Sequence, residues 1–190
     1  MKKLSSIFIV GASFFCQISL AQQTTRTIFL VRHAEKQSAA PSASLSLAGQ
    51  KRAECLAQTF KDSGIKQIFV TESKASQETA EPLAKALNLK PSTIPARDVA
   101  NLMRNLVYGA SGNALVISQS DTLPVIVGRL QGSAAKPVAE NDYDRLFVSM
   151  VVEGAGMPAA TLHYCSAPGG AVTQAAPAKH PGAKADAKKP

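Results

Sequence analysis

Apolar residues in this chain fall into short blocks separated by polar stretches, and the spacing within each block tells strand from helix. Residues 27–31 form a continuous run, Thr27-Ile28-Phe29-Leu30-Val31, the pattern of a strand buried on both faces. A Ser/Ala/Pro loop follows at 38–44. Ser46 then offers an N-cap, and Leu47, Cys55, Leu56 and Phe60 recur at spacings that share a helical face. Gly64 is placed to end that helix. Residues 67–71 predict a second strand. Ser76 reads as the cap of a second helix carrying Ala80, Leu83, Ala84 and Leu87, and Pro82 inside it predicts a kink or a later start. Asp98 reads as the cap of a third helix with Val99, Leu102, Met103 and Leu106, ending before Gly109. Residues 113–118 predict a third strand. Asp121 reads as the cap of a fourth helix, with Pro124 near its first turn and Val125, Ile126 and Leu130 behind it. Residues 146–152 and 160–164 predict two strands joined around Glu153-Gly154-Ala155-Gly156, a hairpin at a sheet edge.

That order of elements defines an α/β fold: a three-layer sandwich with a mostly parallel central sheet, helices on both faces and a C-terminal edge hairpin. In such sheets ligands bind outside the carboxyl ends of the parallel strands. Three strand ends therefore carry the candidate chemistry: Arg32-His33, Thr71-Glu72-Ser73 and Ser118-Gln119-Ser120-Asp121.

The ends of the chain read differently from its middle. Met1-Lys2-Lys3 is a basic start, residues 4–20 are mostly apolar, and Ser19 and Ala21 are small residues placed for cleavage. This is the layout of a secretory signal peptide over residues 1–21, and bulky Phe15 before Cys16 argues against a lipoprotein site. Residues 166–190 are Ala, Pro, Gly and Lys with little to bury, a pattern of disorder. The domain is thus expected at 22–165, in a protein exported to the periplasm or beyond.

Charge follows the same division. The 190 residues carry a formal net charge of +8 from 21 basic and 13 acidic side chains. Setting aside Lys2, Lys3, Lys179, Lys184, Lys188, Lys189 and Asp186 leaves 15 basic and 12 acidic residues, so the domain itself is not a polycation. With aromatics at 5% and no Trp, nucleic-acid binding through stacking platforms is not expected. The basic tail is either a solvated spacer or a contact for an anionic envelope surface. Cys55 and Cys165 lie in the exported portion, where a disulfide is permitted and two buried thiols are the alternative. No spacing suggests a metal site.

A histidine at a strand end can attack phosphorus, and an adjacent arginine can neutralise phosphoryl oxygens. The segment Ile28-Phe29-Leu30-Val31-Arg32-His33-Ala34-Glu35 resembles the Arg-His-Gly signature of the histidine phosphatase superfamily, the phosphoglycerate mutase-like proteins. Leu45-Ser46-Leu47-Ala48-Gly49 is similar to that family's Leu-(Ser/Thr)-x-x-Gly helix start. Thr71 to Ala80 is similar to its second signature, and Val116-Ile117-Ser118-Gln119-Ser120-Asp121-Thr122 to its third. Asp142-Tyr143-Asp144-Arg145-Leu146-Phe147-Val148 looks like the edge segment of short exported members.

The resemblance implies a phosphate pocket of two arginines and two histidines. Arg32 and His33 match the first pair, with His33 as the nucleophile of an active enzyme. The second arginine falls on Ala75 and the second histidine on Gln119. Gln119 keeps an amide donor but neither charge nor a transferable proton. Lys74 is expected to point away, and Arg97 or Arg104 to supply any replacement cation, with Arg97 the preferred phosphate ligand. Glu35, Glu72 and Asp121 are candidate acids, Glu72 foremost. His163 and His180 read as structural and solvated. The expected function is a pseudo-phosphatase that keeps a weak pocket for a phosphorylated small molecule or similar anion. The alternative is a slow phosphomonoester hydrolase acting through phosphohistidine at His33. Neither metal nor organic cofactor is implied.

Overall fold

The computed structural model describes residues 25–109, 112–152 and 154–166. The signal peptide expected at residues 1–21 and nearly all of the tail expected at 166–190 lie outside the described residues. Within them the chain forms strands β1 (Thr25–Arg32), β2 (Ile65–Val70), β3 (Ser92–Thr93), β4 (Asn113–Ser118), β5 (Arg145–Val152), β6 (Ala155–Gly156) and β7 (Ala160–His163). The helices are α1 (Leu47–Phe60), α2 (Lys74–Leu87), α3 (Val99–Tyr108) and α4 (Thr122–Gln131). One sheet holds the strands in the order β3-β2-β4-β1-β5-β6, with β7 also on β5. The first four of that series are parallel, and β5, β6 and β7 pair antiparallel. This is the expected α/β architecture with its edge hairpin. The two-residue β3 is too short to show a period in the sequence.

Alternation along the strands sorts the core into two layers. Ile28 and Leu30 of β1, with Ala114 and Val116 of β4, pack under α3 and α4. Val31, Leu115 and Ile117 face the other way, onto Leu56 and Phe60 of α1 and Leu83 of α2. Helices α1, α2 and α3 start where a short polar side chain satisfies a free N–H. Gly49 N donates to Ser46 Oγ at 3.1 Å, and Asn101 N to Asp98 Oδ1 at 3.1 Å. The cap of α2 is Ser73, whose Oγ accepts from Ser76 N at 3.2 Å, so the helix begins earlier than expected. Ser76 is instead a buried hydroxyl, bonded by Thr71 and Ser73. Pro82 costs α2 a hydrogen bond to the carbonyl of Glu78 without ending the helix. Asp121 stands at the N-cap position of α4 but makes no capping bond there. Its Oδ1 accepts from the Thr122 hydroxyl.

Gly49 is a place where the backbone leaves no room for a side chain. A Cβ there would lie 2.2 Å from the carbonyl oxygen of Glu35, an atom already held by Ser46 N at 2.8 Å. Gly49→Ala is expected to destabilise the fold by about 1–3 kcal/mol. Urea unfolding checks this, and an unchanged midpoint would contradict the close approach.

β1 and β4 are neighbours, yet the helices after them go to opposite faces of the sheet. That divergence opens a crevice beyond their carboxyl ends. His33 sits at its floor, its backbone N donating to Ser118 O at 2.9 Å.

Candidate active site

A cleft of about 890 Å³ lies over these strand ends, within the size range of small-molecule sites. Arg32 and His33 enter it from β1, Glu72, Ser73 and Lys74 from the β2–α2 junction, and Gln119, Ser120 and Asp121 from the β4–α4 junction. Lys36 and the 38–42 loop form one rim, and Glu140 and Tyr143 another.

His33 is 6% exposed. Its Nδ1 lies 2.8 Å from the carbonyl oxygen of Ala34. A carbonyl only accepts, so Nδ1 carries the proton, and in the neutral ring Nε2 holds a free lone pair. Burial of the ring pushes its pKa below the ordinary value, with Arg32 and Lys36 adding to the effect, opposed by the Ala34 hydrogen bond and Glu140. The imidazole is therefore held in its uncharged, nucleophilic form. Ala34 N donates to Thr79 Oγ1 at 3.0 Å, and Thr79 Oγ1 donates to Ala75 O at 2.6 Å. That relay fixes the turn bearing His33 against α2.

Arg32 is 4% exposed and largely engaged by the loop before β5. Nη1 donates to Ala139 O at 3.0 Å and to Glu140 O, Nη2 lies 4.0 Å from the Glu140 carboxylate, and the guanidinium stacks 4.3 Å from the Tyr143 ring centroid. Nε is buried with no hydrogen-bond partner among the described residues. The loop itself is braced by Arg145, which pairs with Asp142 and donates to Pro137 O.

The other expected residues divide. Gln119, Glu72 and Asp121 line the cleft with His33. The Glu72 carboxylate also accepts from Ala96 N at 2.8 Å, which ties it to the 95–98 loop. Arg97, expected as a phosphate ligand, is not among the cleft-lining residues, and neither is Arg104, which donates to Asn101 Oδ1 on its own helix. Glu35 does not line the cleft, and Arg52 grips both of its oxygens at 2.7–3.0 Å. His163 pairs with Asp144 at 2.9 Å. His180 lies outside the described residues. Ala75 is fully buried in a small apolar cluster with Ala34, Leu45 and Ala53 and does not line the cleft.

Lys74 lines the cleft from the first turn of α2, and its ammonium lies 3.7 Å from Glu78 Oε1. Lys36, Glu140 and Tyr143 were not singled out from sequence. Their signal was positional only: Lys36 closely follows the His33 turn, and Tyr143 sits in the Asp-Tyr-Asp stretch before β5. Among the described residues no group of three or more His, Cys, Asp or Glu side chains is placed to hold a metal ion.

The family model of the histidine phosphatase superfamily (branch 1) matches residues 28–98. No curated protein matches the chain in sequence. Solved structures share its fold. The protein histidine phosphatase SixA, complexed with tungstate, aligns with a TM-score of 0.61 at 20% identity over 72% of this chain and 96% of that one. The alpha-ribazole phosphatase from Shigella flexneri aligns at 0.58 with 16% identity over 70% and 94%. A phosphoglycerate mutase from Plasmodium falciparum aligns at 0.54 with 17% identity over 79% and 98%. The sequence likeness to that family thus covers residues 28–98, and the fold is the one these structures share.

Proposed function

We propose that this protein is an exported pseudo-phosphatase, which keeps a weak phosphate or anion pocket at Arg32, His33 and Gln119 and has lost most phosphomonoester turnover. The observation that carries the reading is the cleft's composition. It holds one histidine and one arginine where the family resemblance implies two of each, and that arginine already donates to two backbone carbonyls. Losing a preorganised charge-stabilising donor typically costs on the order of 10²–10³ in rate. Position 119 also lacks a proton to give a leaving group. Retained anion binding is supported by the buried, unpartnered Nε of Arg32, since buried donors seldom go without an acceptor. The tungstate in the SixA structure supports it by analogy. Export is supported by the N-terminal apolar segment and by the Cys55–Cys165 disulfide, a bond that persists in oxidising compartments.

The neutral His33 with an unprotonated Nε2 favours a second reading, a slow phosphomonoester hydrolase. In that reaction Nε2 bonds to phosphorus as the ester P–O bond breaks. The departing alkoxide takes a proton, and water then cleaves the P–N bond. The test is turnover of a phosphomonoester panel by wild type and His33→Ala. Background rates are expected for both. Clear wild-type turnover that disappears in His33→Ala would overturn the pseudo-phosphatase reading.

A further inference from the structure

The anion pocket just proposed has its positive charge on one wall, at Arg32. The opposite wall is the start of α2. Its first helical residue is Lys74, and the first turn contains no acidic side chain. A helix N-terminus carries partial positive charge and favours anions, so a lysine there adds charge of the same sign. Its one ion pair within the described residues is weak by geometry. Glu78 lies four residues on, with Nζ 3.7 Å from its Oε1, and the lysine side chain remains 55% exposed. Lysine preceding glutamate is also the less favourable order for such a pair. The other Glu78 oxygen is committed to Leu45 N at 2.7 Å. Lys36, the other lysine of the cleft, has its ammonium directed to the carbonyls of Ala39 and Ala40 in its own loop.

We infer that Lys74 is the second cation of this cleft, holding a bound anion from the α2 wall in place of the guanidinium missing at position 75. This rests on the anion-pocket reading. A buried alanine at 75 leaves α2 without a cation at that position, while the preceding residue presents one beside the helix terminus. A lysine supplies a mobile point charge rather than a fixed fork of donors. It can therefore hold an anion without recreating the geometry that lowers a phosphoryl-transfer barrier. Glu72, Asp121 and Glu140 share the cleft and repel the same ligand, so removing one cation is felt strongly.

The test is titration of the full protein with inorganic phosphate, followed by calorimetry or phosphorus NMR. Lys74→Ala is expected to weaken binding about tenfold or more, the low end for loss of a charge-assisted hydrogen bond. Lys74→Arg should restore it. Glu78→Gln, which releases the ammonium while keeping an oxygen for Leu45 N, should tighten it. Thermal unfolding of Lys74→Ala should match or exceed wild type, since a cation leaves the helix N-terminus. Phosphate binding that is lost in Arg32→Ala but survives in Lys74→Ala would overturn this inference alone. No phosphate binding by wild type would overturn the anion pocket and the inference together.

Discussion

Gln119→His is expected to raise phosphomonoester turnover about 10²-fold above wild type, with the gain abolished by adding His33→Ala. The residue leaves β4 beside His33, whose backbone N is bonded to the neighbouring Ser118 carbonyl, and it already lines the cleft. A histidine there brings what an amide lacks, a proton that moves near neutral pH and a positive charge while it is held. Positioned general acids and bases typically contribute about 10²–10⁴, so the low end is expected in a pocket still short of one guanidinium. The measurement is kcat on the phosphomonoester panel, with a pH profile that acquires a falling limb in the histidine range. A wild-type kcat equal to that of Gln119→His would sink the idea that position 119 limits the chemistry. The single change is a cleaner test than one that also adds Ala75→Arg. Ala75 is 0% exposed among Ala34, Leu45 and Ala53, and a large side chain there must first displace packed neighbours.

The contrast between Gln119 and Lys74 shows what the sequence makes legible and what it hides. Gln119 sits directly after a buried apolar strand, so its placement at the strand's carboxyl end follows from a period of two and the parallel-sheet rule. The same reasoning placed Arg32, His33 and Glu72. Lys74 opens a helix that the sequence predicts to start three positions later. Ser73 and Ser76 are both serines with capping chemistry, and choosing between them required knowing that Ser76 is buried in a hydroxyl network with Thr71. With the cap at Ser73, Lys74 becomes the first helical residue and borders the cleft.

Loops were less legible still. Arg97 is expected in the pocket because the family resemblance implies that its segment covers this crevice, but nothing periodic fixes where a loop side chain goes. The carbonyls of Ala139 and Glu140 that capture Arg32 are more than 100 residues away in sequence, and main-chain groups leave no mark on a residue pattern. Strand and helix faces are written in apolar spacing. The state of an arginine's donors depends on tertiary contacts that spacing does not encode.

The pairing of Cys55 with Cys165 was likewise open in the sequence, and it carries the largest expected effect on stability. The bond spans 110 residues, with Cα atoms 6.1 Å apart. It joins α1 to the segment just after β7, so it closes residues 55–165 into one loop. The chain-entropy model assigns a loop near this length about 4.7 kcal/mol, and removing native bridges typically costs about 2–5 kcal/mol. Cys165→Ser is therefore expected to lower unfolding stability by about 3–5 kcal/mol, a fall in Tm of roughly 10–15 °C for a domain of this size. The hairpin's other polar anchors are the β7 ladder on β5, Tyr164 N on Asp144 O, and His163 and Ser166 on the Asp144 carboxylate. All four residues of β7 are exposed, and its inward support is Tyr164, 4% exposed and packed edge-on to Phe60 at 6.5 Å. Loss of the bridge should loosen that end first, so amides of β7 should exchange faster before those of β1 and β4 change. Dithiothreitol should act on wild type as Cys165→Ser does and should leave that variant unaffected. Equal urea midpoints for oxidised wild type, reduced wild type and Cys165→Ser would show that packing alone holds the hairpin. A domain that needs this bond for several kcal/mol is suited to an oxidising compartment, which links the stability measurement to the proposed export.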